Sequence, residues 1–181
     1  MARMTSNTYI PVLQKSDIGS ISGLGGNAYM TEGSRSFVDA LTDGNVFAFV
    51  YSGSNKIHID SVLLSTDSAY AVAELYVNAT GITGSVANLI KDTPINLALG
   101  GSSANVTSST SEGIGPVTGS VTSANKLFTI HLSNSIPTFK YDFKGSLVLS
   151  QYNTLLLVGQ VSASGHYLRT SILYSELESD Q

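Results

Sequence analysis

An all-β sandwich is the fold class that this sequence predicts, and three observations carry the prediction. From Val46 onward, apolar residues alternate with polar ones in short runs, the period-two signature of half-buried strands. Turn-rich breaks of Gly, Ser, Asn and Asp separate the runs, the pattern of a sandwich or barrel. Before Val46, in residues 1–44, helical periodicity is weak, and only residues 36–41 suggest a turn of helix.

Residues 1–45 differ from the rest. The apolar cluster Tyr9, Ile10, Pro11, Val12 and Leu13 is separated from the next by SDIGSISGLGGN. A segment with so little core of its own orders by lying on something else. It reads as an extended N-terminal arm and the loop leading into a sandwich domain at 46–181.

The strands then follow in order. In VFAFVYS, Val46, Ala48 and Val50 face one way and Phe47, Phe49 and Tyr51 the other. GSN at 53–55 is a turn. KIHIDSVLLS starts with Ile57 and Ile59 on one face and then shifts to Val62 and Leu64. That slip in period near Asp60-Ser61 predicts a β-bulge. After a turn at 66–68, AYAVAELYVNA sets Ala71, Ala73, Leu75 and Val77 against Tyr70, Val72, Glu74 and Tyr76. This is the antiparallel pattern with one face on the core and one polar.

Residues 80–125 are poor in large side chains. Alternating Thr and Val favour short strands at 95–99, 106–109 and 117–121, with low-complexity linker as the competing reading. The last third is strongly β. KLFTIHL puts Phe128, Ile130 and Leu132 on one face. TLLLVGQVS is apolar on both faces and predicts a central, covered strand. YLRTSILYSELE sets Leu168, Thr170, Ile172 and Tyr174 against Arg169, Ser171 and Leu173. The count is about eight to ten strands.

Composition bounds the function. The 181 residues suit one domain, which is long enough to bury a core without staples. There is no Cys, which excludes thiolate metal sites, disulfides and Cys nucleophiles. Charged residues make up 12%, about half the usual share. A neutral polar surface suits close packing against neighbours, since few charges must be desolvated. A net charge of −4 argues against nucleic acid as a partner. No apolar run is long enough to span a membrane. The first residues lack the apolar core of a secretory signal, so synthesis and folding in a cytoplasm are expected. The sequons at Asn78 and Asn105 then read as chance matches.

Little in the sequence points to chemistry. His58 and His131 lie in alternating strands and His166 in a turn, without the close spacing of a metal site. No metal or other cofactor is expected. Gly23-Leu24-Gly25-Gly26 lacks the third glycine of a dinucleotide loop, because Ala28 stands in its place. No Gly-x-Ser-x-Gly elbow occurs. The acids are scattered, and Glu176, Glu178 and Asp180 read as a solvated tail. Two acids distant in sequence can still meet as a glycosidase pair. No catalytic residue is assigned, and the chain is expected not to be an enzyme.

Nine Tyr and six Phe are present and no Trp. Tyr70 and Tyr76, with Glu74 between them, are the candidate exposed contact patch, for a surface glycan or a neighbouring subunit. A covered second face is the competing reading.

Three stretches resemble a family of single-domain jelly-roll proteins of tailed-phage virions. They are SGSNKIHIDSVLLSTDSAYAVAELYV, NLALGGSSANV, and FKGSLVLSQYNTLLLVGQVSASGHYLRTSILYSELE. The last is similar to a closing pattern in which a leucine-rich strand leads to a turn, a central apolar strand, and a last strand ending in Tyr and acids. Together they run from 52 to 178 with a poorly matched middle. The resemblance implies a jelly-roll β-sandwich, of the kind found in viral capsids. It implies a structural protein of the virion made in the host cytoplasm: capsid decoration (cement), head fibre or tail knob, often a homotrimer. Its partners would be its own copies and the major capsid or other virion proteins. The arm, with Tyr9, Ile10, Pro11, Val12 and Leu13, would then attach to the particle. The alternative is a receptor- or glycan-binding tip on the same fold.

Overall fold

The computed structural model describes residues 28–51, 56–83, 89–90, 106–110, 118–122 and 124–177. Among them are twelve strands: β1 (Ala28–Ser36), β2 (Gly44–Tyr51), β3 (Lys56–Thr66), β4 (Tyr70–Val77), β5 (Thr80–Thr83), β6 (Leu89–Ile90), β7 (Val106–Thr110), β8 (Thr118–Ser120), β9 (Asn125–Ser133), β10 (Thr138–Leu149), β11 (Thr154–Val161) and β12 (Tyr167–Leu177). Ten of them form two antiparallel sheets, ordered β1-β12-β3-β10 and β6-β7-β2-β11-β4-β9, and β5 and β8 form a separate ribbon.

The chain closes as nested antiparallel pairs. β1 pairs with β12, β2 with β11, β3 with β10, and β4 with β9. Pairs β12–β3 and β11–β4 stitch these into the two sheets. Rolled up in this way, the pairs make a jelly roll, and the expected all-β sandwich is borne out.

Alternation explains which side chains enter the core. Ala71, Ala73 and Leu75 of β4, Ile57, Ile59, Val62 and Leu64 of β3, and Leu155 and Leu157 of β11 are all buried between the sheets. Tyr29 of β1 stacks on Tyr174 of β12, with ring centroids 5.3 Å apart. Phe49 meets Tyr174 edge-on at 5.0 Å, a favoured aromatic geometry.

The predicted bulge is present. Ser61 lies opposite Leu173 and Ile59 opposite Tyr174, so Asp60 is the extra residue of β3. The insertion restores inward alternation, which is why Val62 and Leu64 follow Ile57 and Ile59 into the core.

The central strand β11 is covered on both faces, as its composition predicts. Leu156 is fully buried on the face away from the main core, with Ala48 and Ala79. The β5–β8 ribbon provides the cover: a Cβ placed on Gly119 would meet Ile82 and Leu156 at 2.6 and 3.3 Å.

Two expectations are corrected. The span 1–45 contains β1, the first strand of the jelly roll among the described residues, so the sandwich already includes Ala28–Ser36, ahead of Val46. Its inward positions are Tyr29, Thr31 and Gly33, and the Gly33 position is filled by the Phe47 ring. Only one large apolar residue therefore marks the buried face, and the alternation is faint. Of residues 36–41, Ser36 ends β1 and the rest form a bend and turn, not helix. Phe37 is buried there, exchanging backbone hydrogen bonds with the His166–Gly165 turn at 3.0 and 2.7 Å. The attachment residues Tyr9 to Leu13 and the expected strand at 95–99 lie outside the described residues.

Candidate functional site

The contact patch proposed from sequence sits on β4. Tyr70, Val72, Glu74 and Tyr76 share the face turned away from the main core, because their neighbours Ala71, Ala73 and Leu75 point into it. The three candidate residues do not form one cluster. Tyr70 and Tyr76 are six positions apart, about 20 Å along a strand, and each has its own partners.

At one end, the Tyr70 hydroxyl is 2.7 Å from His131 Nδ1, and the two rings stack with centroids 5.9 Å apart. Tyr70 is 40% exposed. Its backbone N–H is held by the Ser162 hydroxyl at 3.2 Å.

At the other end, Glu74 and Tyr76 meet. The Tyr76 hydroxyl donates to Glu74 Oε2, while Lys126 Nζ and Thr129 Oγ1 donate to Oε1 at 2.9 and 3.1 Å. The hydrogen bond from Tyr76 and that from Lys126, opposed by burial, hold the Glu74 carboxyl below its ordinary range. The same bond to Glu74, with burial and the charges of Glu74 and Asp43, pushes the Tyr76 phenol up to about 12. Below Tyr76 lies the ribbon-covered cluster of Ala48, Ala79 and Leu156.

This end borders an open depression of about 380 Å³, lined by residues including Arg35, Asp43, Asn45, Glu74, Tyr76 and Val158. The Arg35 guanidinium donates to the Asn45 carbonyl at 3.0 Å and lies over the Phe37 ring at 5.2 Å. Gly44 leaves the space that this guanidinium occupies. Two carboxyl groups, a phenol, a guanidinium and a backbone carbonyl suit recognition of a hydroxyl-rich or charged ligand. Glu74 does not suit a general acid, which needs a pKa raised towards neutrality.

Lys126, Thr129 and Arg35 were not picked out from sequence, and His131 was weighed there only as a metal ligand, not as a partner of Tyr70. The alternation that put Phe128, Ile130 and Leu132 on one face does put Thr129 and His131 on the other. It does not say that β9 lies beside β4.

The three histidines are apart. His58 lies in β3 and His131 in β9, strands of different sheets, each with its side chain on the outward face. His166 is 3.3 Å from Asp67 in the turn before β12. Burial raises the Asp67 carboxyl, but bonds from the backbone N–H groups of Tyr167 and Asp67, together with His166, bring it below its ordinary value. Among the described residues, no three His, Cys, Asp or Glu side chains are grouped to hold a metal. No helix among them is long and apolar enough to cross a membrane.

The solvated-tail reading of the last acids is corrected at Glu176, which is buried in β12. Its charge adds to burial in raising the Tyr29 phenol. Glu178 and Asp180 lie outside the described residues. At the bulge, burial raises the Asp60 carboxyl against the opposing influence of His58. Asp60 Oδ2 and His58 Nδ1 are both buried without a hydrogen-bond partner.

No protein-family model and no curated protein matches the sequence. Among solved structures, the chain is similar to that of infectious bursal disease virus, Gx strain, at 10% identity and a TM-score of 0.19, covering 84% of this chain and 40% of that one. A second is the T=1 particle derived from infectious bursal virus, at 9% identity and a TM-score of 0.18 over 84% and 40% of the two chains. A third is the VP2 subviral particle of infectious bursal disease virus, at 10% identity and a TM-score of 0.12 over 83% and 39%. The chain thus spans about two-fifths of the length of these structures, and overlaps this low carry no functional argument.

Proposed function

We propose that this chain is a non-enzymatic structural protein of a virion, a capsid decoration or head-fibre protein that binds the particle through its N-terminal arm and self-associates through its sandwich. One observation supports the reading above others. The first and last stretches that resemble virion jelly-roll proteins fall on β3–β4 and on the end of β10 through β12, which are neighbouring strands of one fold. The sparse charge of the chain supports it too. Neutral, shape-matched surfaces lose little on desolvation, and many weak contacts sum to firm attachment.

The arm residues Tyr9, Ile10, Pro11, Val12 and Leu13 are the proposed attachment segment. Deleting residues 1–20 should leave a folded domain that no longer joins the particle. Undiminished incorporation of the truncated chain would overturn the assignment.

A second reading has its own observation in the depression beside Tyr76. An aromatic ring edged by Glu74, Arg35 and Asp43 suits a sugar, so the fold would serve as a receptor- or glycan-binding tip. A glycan array distinguishes the two. Binding lost in the Tyr76→Ala variant supports the tip, and silence across a broad panel removes it.

A further inference from the structure

β10 is an end strand of its sheet. It pairs with β3 on one side, and among the described residues no strand pairs with its other edge. A long unpaired edge is a template for another strand. On the inward face of this one, Phe139, Tyr141 and Phe143 alternate. With Phe128 of β9 they form an aromatic cluster: Tyr141 lies 4.8 Å from Phe143 and 5.1 Å from Phe128, centroid to centroid. Tyr141 is nevertheless 41% exposed. On the outward face, Lys140 and Asp142 form an exposed ion pair of 2.8 Å.

The run Phe139-Lys140-Tyr141-Asp142-Phe143 is self-complementary about its centre. We propose that β10 pairs antiparallel with β10 of a second copy about a twofold axis through Tyr141, making one continuous eight-stranded sheet. In that register Phe139 of each copy faces Phe143 of the other, and the two Tyr141 rings meet at the axis. Lys140 of each copy faces Asp142 of the other, so the two intrachain pairs become an alternating four-charge array. An isologous contact needs this kind of self-matching surface, and directly opposite charges are the favourable arrangement across strands.

The neighbouring registers are disfavoured by the same charges. An axis through Asp142 sets Asp142 against Asp142 and Lys140 against Lys144. An axis through Lys140 sets Lys140 against itself. Lys144 has a positive φ of 53° and lies where the β3 pairing breaks between Asp142 and Leu147. The regular edge therefore ends there, and in the Tyr141 register Lys144 meets only the neutral Thr138.

The pairing does not depend on what the protein is attached to. It does differ from the threefold assembly that the family resemblance implies, because a twofold strand pairing closes at two copies. Light scattering on a sizing column, with the full chain over a concentration series, is expected to give a dimer that weakens with added salt. Lys140→Asp and Asp142→Lys each place like charges opposite one another, and each should weaken the dimer at least tenfold. An equimolar mixture of the two variants should restore it, as should the double variant. Both positions are exposed, and circular dichroism checks that each variant is folded. A wild-type monomer or trimer overturns the pairing. A dimer indifferent to both reversals, or a mixture that stays monomeric, overturns it equally. None of these results bears on particle attachment, which the incorporation assay reads separately.

Discussion

The Glu74 carboxylate accepts the Tyr76 hydroxyl, two residues along the same strand, on one oxygen, and Lys126 and Thr129 of the neighbouring strand on the other. The outward face of β4 thus carries a charge that is held by three side chains from two strands.

That arrangement predicts a pH dependence with two limbs. The Glu74 carboxyl is held below its ordinary value, so its contribution to stability is present above pH ~4.3 and lost as pH falls further. The Tyr76 phenol is raised to about 12. Its contribution is present below pH ~10 and lost as pH rises towards the folded value. Tyr76→Phe should destabilise the fold by about 1 kcal/mol at neutral pH, and its difference from the native chain should shrink in the alkaline range. Glu74→Gln should flatten the acid limb. Thermal melts across pH check both, and a Tyr76→Phe difference that is constant to pH 12 would count against the bond.

Leu156→Ala should behave as a core substitution although Leu156 lies on the outer face of its sheet. It is fully buried with Ala48 and Ala79, so the expected loss is about 2–5 kcal/mol, similar to that of Leu157→Ala. Urea unfolding measures it. A loss under about 1 kcal/mol would mean that the ribbon does not cover this face in solution.

Gly33→Ala introduces a Cβ 2.5 Å from Phe47 Cδ2. The ring sits between the sheets and has little room to move, so overpacking should cost about 1–3 kcal/mol. Pairing Gly33→Ala with Phe47→Leu should recover part of that loss. A double-mutant cycle with no coupling would disprove the contact.

Asp60→Asn should stabilise the chain at neutral pH. The Asp60 carboxyl is raised by burial, so the native state resists its ionisation and loses stability as pH rises through its titration. An amide of the same shape removes that penalty. The gain should disappear at pH values where the native carboxyl is already protonated. Melts at pH 3 and pH 7 test this, and equal effects at both would refute it.

Much of the fold was legible in the sequence, for identifiable reasons. β4 and β12 announce themselves because each buries one face and wets the other, so hydropathy repeats every two residues. The Asp60 bulge was legible because a one-residue insertion flips that repeat. β11 was legible as a covered strand because both faces are apolar. β1 was not, since its inward positions include a Thr and a Gly that matters only where the Phe47 ring comes against it. β5 and β6 were missed as well, being too short to show a period.

Of the contact surface, the sequence by itself determined that Tyr70, Glu74 and Tyr76 share a face, because strand geometry alone dictates it. Only the tertiary structure decided that Tyr70 joins His131 while Glu74 and Tyr76 join Lys126 and Thr129. Those partners lie more than fifty positions away in the chain. Local periodicity reports which way a side chain points. Which strand lies beside it is set by how the nested pairs roll up, a long-range choice that no local pattern encodes.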